Sequence, residues 1–208
     1  MLIVKDLVCQ FEGGKTIEYP DWQVEKDGRA LILGASGSGK TTLLHLLSGL
    51  KKPGSGSVSI NDTYLNRLST TRLDQFRGQN IGLVFQKPHL IAALTVEENI
   101  HLAGYLGGKK LSNERVSQLL ESLQVSELAQ RKIHQISQGQ AQRVAISRAV
   151  ANDPKVIFAD EPTASLDDDS CHSVISLLNQ QAKENGAMLI VATHDQRVKS
   201  EFSNHLKL

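Results

Sequence analysis

An apolar run from Ala30 to Leu33 opens into Gly34, Ala35, Ser36, Gly37, Ser38, Gly39, Lys40 and Thr41, and a leucine-rich stretch follows at once. This is the spacing GxxxxGK[ST], and it constrains the fold more than any other feature: a strand must lie behind the loop and a helix must start at its end. The glycines let the backbone turn tightly and aim successive N–H groups inward, and the helix N-terminus adds a partial positive charge that favours an anion. In that reading Lys40 reaches the terminal phosphates and the Thr41 hydroxyl ligates Mg2+. Thr42, next in line, joins the nucleotide-binding set. A plain glycine-rich turn with a surface lysine is the alternative, and the rest of the chain must separate the two.

The chain has 208 residues, enough for one α/β domain carrying a sizeable inserted lobe, and 40% of them are hydrophobic, enough for a real core. A net charge of +1, from 23 basic and 22 acidic residues, offers no field to draw in nucleic acid or anionic lipid. Cys9 and Cys171 are far apart in the sequence, which argues against a disulfide framework or a zinc site and fits a reducing cytosol. The opening MLIVKDLVCQF lacks signal-peptide anatomy and reads as a strand, and no uncharged apolar run approaches 18 residues, so direct membrane insertion is not expected.

Periodicity predicts strands at 2–8, 22–25 and 29–33, a helix at 41–50 with Leu43, Leu44, Leu46, Leu47 and Leu50 on its packing face, a strand at 57–60, a short helix at 71–76, and a buried strand at 80–85 ending at Gln86. Helical segments at 95–105, 112–123 and 137–151 follow with no convincing strand between them; Ser112 reads as an N-cap, and Val116, Leu119, Leu120 and Leu123 form one stripe. Strand 156–159, helix 168–183, strand 188–192, a short helix after Asp195 and a last strand near 205–208 complete the chain. The expected fold is α/β, a mostly parallel sheet with flanking helices, an antiparallel β subdomain and an inserted α-helical lobe. Residues 1–86 and 152–208 would form the nucleotide-binding core, and 87–151 the lobe. Trp22 is expected in the core.

The run Val156, Ile157, Phe158, Ala159 ends in Asp160 and Glu161. Open α/β sheets bind ligands where strands end, so Asp160 would hold Mg2+ opposite Thr41, while Glu161, differently oriented, would polarise an attacking water.

Six stretches in order, GASGSGKT at 34–41, Gln86, ISQGQ at 136–140, VIFADE at 156–161, Ser165-Leu166-Asp167, and His194 after a strand, resemble the motif set of the ATP-binding cassette (ABC) ATPases over nearly the whole chain. The resemblance implies ATP and Mg2+ as cofactors and a head-to-tail dimer in which Ser137, Gly139 and Gln140 at one helix start face the γ-phosphate bound by the other copy. It makes Gln86 a sensor of Mg2+ or water, counted with Thr41 and Asp160 in the metal set. It makes His194 a switch residue beside Glu161, so that Glu161, His194, Gln86 and Lys40 form the catalytic set. Asp167 fits the loop crossing the dimer interface, or equally a helix N-terminal acid; Phe11 fits the ring that stacks on adenine, or ordinary core. Gln138 replaces the usual second glycine of the signature, where it would crowd the trans phosphate or donate a hydrogen bond to it.

KPHLIAALTVEENI, after Gln86, resembles the region by which transporter ATPases grip a transmembrane permease, with Ile91, Leu94 and Val96 lining a groove or filling the lobe core. With FADEPTASLD it most resembles the lipoprotein-release, macrolide-efflux and cell-division branch. The implied function is an ATP-hydrolysing subunit without membrane-spanning segments of its own, which drives a separate permease from the cytoplasmic face of the cell membrane through dimerisation with a second ATPase subunit. A mechanical or regulatory ATPase that moves no substrate stays open, as does, more remotely, a soluble cassette acting on nucleic acid or ribosomes.

Overall fold

The computed structural model describes every residue except Glu12 and Ser165. The chain forms β1 (Leu2–Gln10), β2 (Thr16–Glu18), β3 (Trp22–Val24), β4 (Arg29–Leu33), α1 (Lys40–Leu47), β5 (Ser55–Ile60), β6 (Thr63–Tyr64), α2 (Thr70–Asn80) and β7 (Ile81–Val84). Then come α3 (Val96–Leu106), α4 (Asn113–Ser122), α5 (Gln138–Val150), β8 (Val156–Asp160), α6 (Asp168–Asn185), β9 (Met188–Thr193) and β10 (Asn204–Lys207), with short 3-10 turns between several of them.

Five strands make a wholly parallel sheet in the order β10, β4, β9, β8, β7. The near-continuous apolar sequences of β4, β7, β8 and β9 follow from burial on both faces, whereas the edge strand β10 buries only Leu206. The pleat divides the side chains: Leu31, Leu33, Ile157, Ala159, Leu189 and Val191 face one core with α5 and α6, whereas Ala30, Ile32, Val156, Phe158, Met188 and Ile190 face a second core shared with α1 and the other sheet. That other sheet is antiparallel, in the order β2, β1, β5, β6, with β3 also pairing with β1. Its register slips between Lys5 and Val8, where Asp6 has φ 49°. Gly56 sits against this bulge at φ 82°, and any Cβ there would lie 2.2 Å from the Asp6 carbonyl oxygen.

Several sequence expectations need correction. Helix α1 ends at Leu47 with Ser48 as its C-cap, and Gly49 turns the chain at φ 69°; Leu50 therefore lies beyond the helix, 44% exposed, and is not part of its packing face. Trp22 is only half-buried at the core margin, because its indole N–H reaches out to Asn204 Oδ1 at 3.2 Å. Strand β7 ends at Val84, so Gln86 stands two residues past it instead of closing it. Helix α2 is nearly twice the expected length, started by the Ser69 hydroxyl accepting from the Arg72 N–H. Between β7 and β8 the described residues form helices and 3-10 turns and no strand. The C-terminal part of α5 lies directly on β7, where Gly82 leaves room for the Ala149 carbonyl.

Candidate nucleotide site

Four neighbouring parallel strands deliver the site. Strand β4 runs into the glycine loop, β8 ends on Asp160 and hands over to Glu161, β9 ends at Thr193 and hands over to His194, and β7 leads through Phe85 to Gln86. All emerge at the same C-terminal edge, where an open α/β sheet has its crevice.

The loop is built around close approach. A Cβ on Gly34 would come within 2.3 Å of Ser38 Oγ, and Gly39, at φ 101°, is the N-cap of α1 and has no side chain with which to cap it. The first N–H groups of α1 thus keep no side-chain cap and are available to an anion. Ser38 Oγ is likewise buried without a hydrogen-bond partner among the described residues. Lys40 is 6% exposed; its ammonium donates to the Gly34 and Ala35 carbonyls at 2.8 and 3.1 Å and lies 3.3 Å from Glu161 Oε1.

Glu161 is held from several sides. Thr193 Oγ1 donates to Oε2 at 2.7 Å, the His194 N–H to Oε2 at 3.3 Å, and His194 Nδ1 lies 2.8 Å from Oε1. Burial would raise the carboxyl pKa, but the hydrogen bonds from His194 and Thr193 and the charges of His194 and Lys40 outweigh it and hold Glu161 below the usual range. Asp160 goes the other way. Burial raises its pKa against the pull of the neighbouring Thr41 hydroxyl, the Glu161 charge adds to the rise, and Oδ1 is buried with no partner among the described residues. A desolvated carboxylate oxygen beside a hydroxyl is a pair of hard donors suited to a small divalent cation.

A cavity of about 520 Å³ opens over this floor, lined by Phe11, Ser36, Gly37, Gly39, Lys40, Thr41, Thr42, Gln86, Glu161 and His194, all expected from the sequence, and by Lys15 and Ile17, which are not. Gly34, Ala35, Ser38 and Asp160 are not among the lining residues. Phe11 is half-buried at the cavity rim, with the Lys51 ammonium 4.9 Å from its ring centroid. Tyr19, also unforeseen, donates its hydroxyl to the Gly39 carbonyl at 3.1 Å, and burial pushes its pKa up to about 12. Sequence reasoning misses Thr193 although it precedes His194, and its place at a strand end is the available signal.

Ser137, Gly139, Gln140 and Asp167 do not line this cavity. Ser137 and Gln140 form a capping box at the start of α5: Ser137 Oγ accepts from the Gln140 N–H at 3.3 Å, and Gln140 Oε1 from the Ser137 N–H at 2.9 Å. Asp167 caps α6, accepting from the Ser170 N–H and hydroxyl at 2.9 and 2.8 Å. Ser165 lies outside the described residues.

The ABC transporter family profile matches residues 17–164. The chain belongs to that family. It is 42% identical over 207 aligned residues, 95% of this chain and 91% of the relative, to the Staphylococcus aureus ATP-binding protein HrtA, whose name refers to hemin import. Among solved structures, the cassette MJ0796 in a dimeric post-hydrolysis state with ADP and Pi superposes with a TM-score of 0.90 at 33% identity, covering 100% of this chain and 94% of that one. The Clostridium perfringens protein cbiO1, part of the transporter complex cbiONQ, superposes with a TM-score of 0.88 at 29% identity, covering 99% and 83%. This cassette is accordingly an ATP-binding and ATP-hydrolysing subunit of the ABC transporter type. No helix among its described residues is long and apolar enough to cross a membrane.

Proposed function

We propose that the cavity over Glu161 holds Mg-ATP in one copy of the cassette and becomes competent for hydrolysis when the α5 end of a second copy closes over it. The observation that carries this reading is the Glu161 carboxylate, shared by Lys40, Thr193 and His194 on the floor of the cavity of about 520 Å³. Adenine stacks on Phe11; the N–H groups of the loop and of the first turn of α1 take the phosphates, with Lys40 moving from the Gly34 and Ala35 carbonyls to their terminal oxygens. Thr41 and Asp160, with Gln86 through water, would hold Mg2+, which neutralises charge on the phosphate oxygens. Glu161, ionised and oriented by Thr193, accepts the proton of the attacking water as its oxygen bonds to the γ-phosphorus and the bond to the β-phosphate oxygen breaks. His194, released from Glu161, donates to a γ-phosphate oxygen. Residues 87–151 act as the lobe that carries Ser137, Gly139 and Gln140 to the partner's nucleotide.

On this reading the cassette sits at the cytoplasmic face of the cell membrane, held there by its permease. Its likeness to HrtA makes a hemin-handling permease the first partner to test. Glu161→Gln should keep ATP binding, lose hydrolysis by on the order of 10²-fold or more, and accumulate an ATP-held dimer on size-exclusion chromatography. Wild-type turnover in that variant would remove Glu161 from the role of base.

A further inference from the structure

Arg197 is outside every motif named above, yet its guanidinium is the most heavily engaged among the described residues. From the 3-10 turn after β9, Nε donates to Asp195 Oδ1 and Oδ2 at 2.9 and 3.1 Å, and Nη2 to Asp195 Oδ2 at 2.7 Å. On its other edge Nη1 and Nη2 donate to the Leu166 carbonyl at 3.3 and 3.4 Å, and Nη1 also pairs with the Asp168 carboxylate. Leu166 and Asp168 flank Asp167, in the stretch that leads from Glu161 into α6.

Asp195 carries the link onward. Its side chain, 12% exposed, also accepts from Thr163 Oγ1 at 3.1 Å and faces Cys171 Sγ at 3.7 Å, so three elements converge on it. Its backbone N–H donates to Thr193 Oγ1 at 3.0 Å, and that hydroxyl donates in turn to Glu161 Oε2. Thr163 is thus fastened by Asp195, and Leu166 and Asp168 by Arg197. Both fastenings come from the turn that bears His194.

We propose that Arg197 is a positioning residue for hydrolysis: it fixes the loop around Asp167 to the Thr193–His194–Asp195 turn, so that a second copy pressing on that loop sets the orientation of Glu161. The proposal rests on the reading of Glu161 as base and of the Asp167 loop as dimer surface. Only a planar guanidinium serves, because one edge must fork onto Asp195 while donors remain for Leu166 and Asp168; a lysine ammonium has no fixed fork.

The test is steady-state ATP hydrolysis, at protein concentrations that saturate dimer formation, by Arg197→Ala and Arg197→Lys, alone and combined with Glu161→Gln. Arg197→Ala should lower kcat about tenfold with KM for ATP nearly unchanged, the cost of a misplaced reacting group. Arg197→Lys should recover only part of the loss, and in the Glu161→Gln background Arg197→Ala should add almost nothing, because it acts through that carboxylate. A wild-type kcat in Arg197→Ala, full recovery by lysine, or an additive loss on top of Glu161→Gln would overturn the proposal. Should Arg197→Ala fail to fold, Asp168→Asn removes one acceptor from an exposed carboxylate and should lower kcat a few-fold at constant KM; wild-type kcat there would also overturn it. Normal turnover by Glu161→Gln alone would instead sink the base assignment, so the two failures are distinguishable.

Discussion

The N-termini of α1 and α5, the two that the proposed function gives to phosphate, are built in opposite ways. The start of α1 has a glycine for its N-cap and no capping side chain; beside it Lys40 is buried at 6% exposed and the Glu161 carboxylate is partly buried at 12%. The start of α5 is a capping box at the surface, closed on itself, and around Gly139 a Cβ would meet no atom within 4 Å. The first is a finished half-site whose donors await an anion. The second is stable as a lone helix end, and on the proposed function the Ser137 hydroxyl, which accepts from the Gln140 N–H, still has its own proton to donate to the partner's phosphate. On the proposed function, the charge needed for chemistry is assembled within one chain, and the surface that licenses it belongs to the other.

The largest break in that comparison is expected at Asp160. Asp160→Asn should reduce Mg2+-dependent hydrolysis by on the order of a hundredfold, since a charged metal donor is lost. The same change should raise the melting temperature measured without nucleotide. Because burial raises the Asp160 pKa, its contribution to stability is full below the unfolded-state value and is lost as pH rises through the folded-state value. The advantage of the asparagine variant should therefore grow from acid pH to neutrality in thermal melts. Glu161, with a lowered pKa, behaves oppositely: its contribution is present above the unfolded-state value and fades as pH falls through the folded one. If the nucleotide-free Asp160→Asn protein is less stable at neutral pH, the unpartnered Oδ1 is not held in wait for a cation.

Ser137→Ala tests the other half. It should cost about 1 kcal/mol of stability as a lost cap and lower kcat about tenfold, while ATP binding to the separate copy, measured with a fluorescent analogue, stays unchanged. A loss of stability with normal turnover would leave Ser137 a cap and nothing more.

The finished half is the more legible in the sequence, for a physical reason. Phosphate loops, metal carboxylates and strand-end polar residues are local: GASGSGKT, VIFADE and His194 each declare themselves by a break in an apolar run, and the parallel sheet brings those breaks to one edge. What escapes depends on partners remote in the chain. Strands β2 and β6 are three and two residues long and exist because β1 and β5 offer edges to pair with. Trp22 is held at the margin by Asn204, 182 residues away. Lys15 and Ile17 enter the cavity only because β2 folds back over the loop, and nothing local marks Arg197, whose acceptors come from two segments about thirty residues apart in sequence. The signature end is legible as a capped helix start, but its role needs a second chain.

Gln138 should show the smallest effect. It is the first residue of α5, exposed and outside the capping box, so a glycine there would forfeit neither of the two hydrogen bonds that close the helix end within one chain. In the folded monomer Gln138→Gly therefore costs only backbone entropy at a helix end, where glycine is tolerated far better than in the interior. Its consequence is confined to the closed dimer, where the side chain either crowds the phosphate or donates to it. Turnover unchanged, or raised up to about twofold, is expected from relieved crowding, with the melting temperature of the monomer nearly constant. A collapse of kcat at constant stability would show that the Gln138 amide is a ligand of the trans phosphate, and that the α5 end brings more than a capped helix and a hydroxyl to the partner's site.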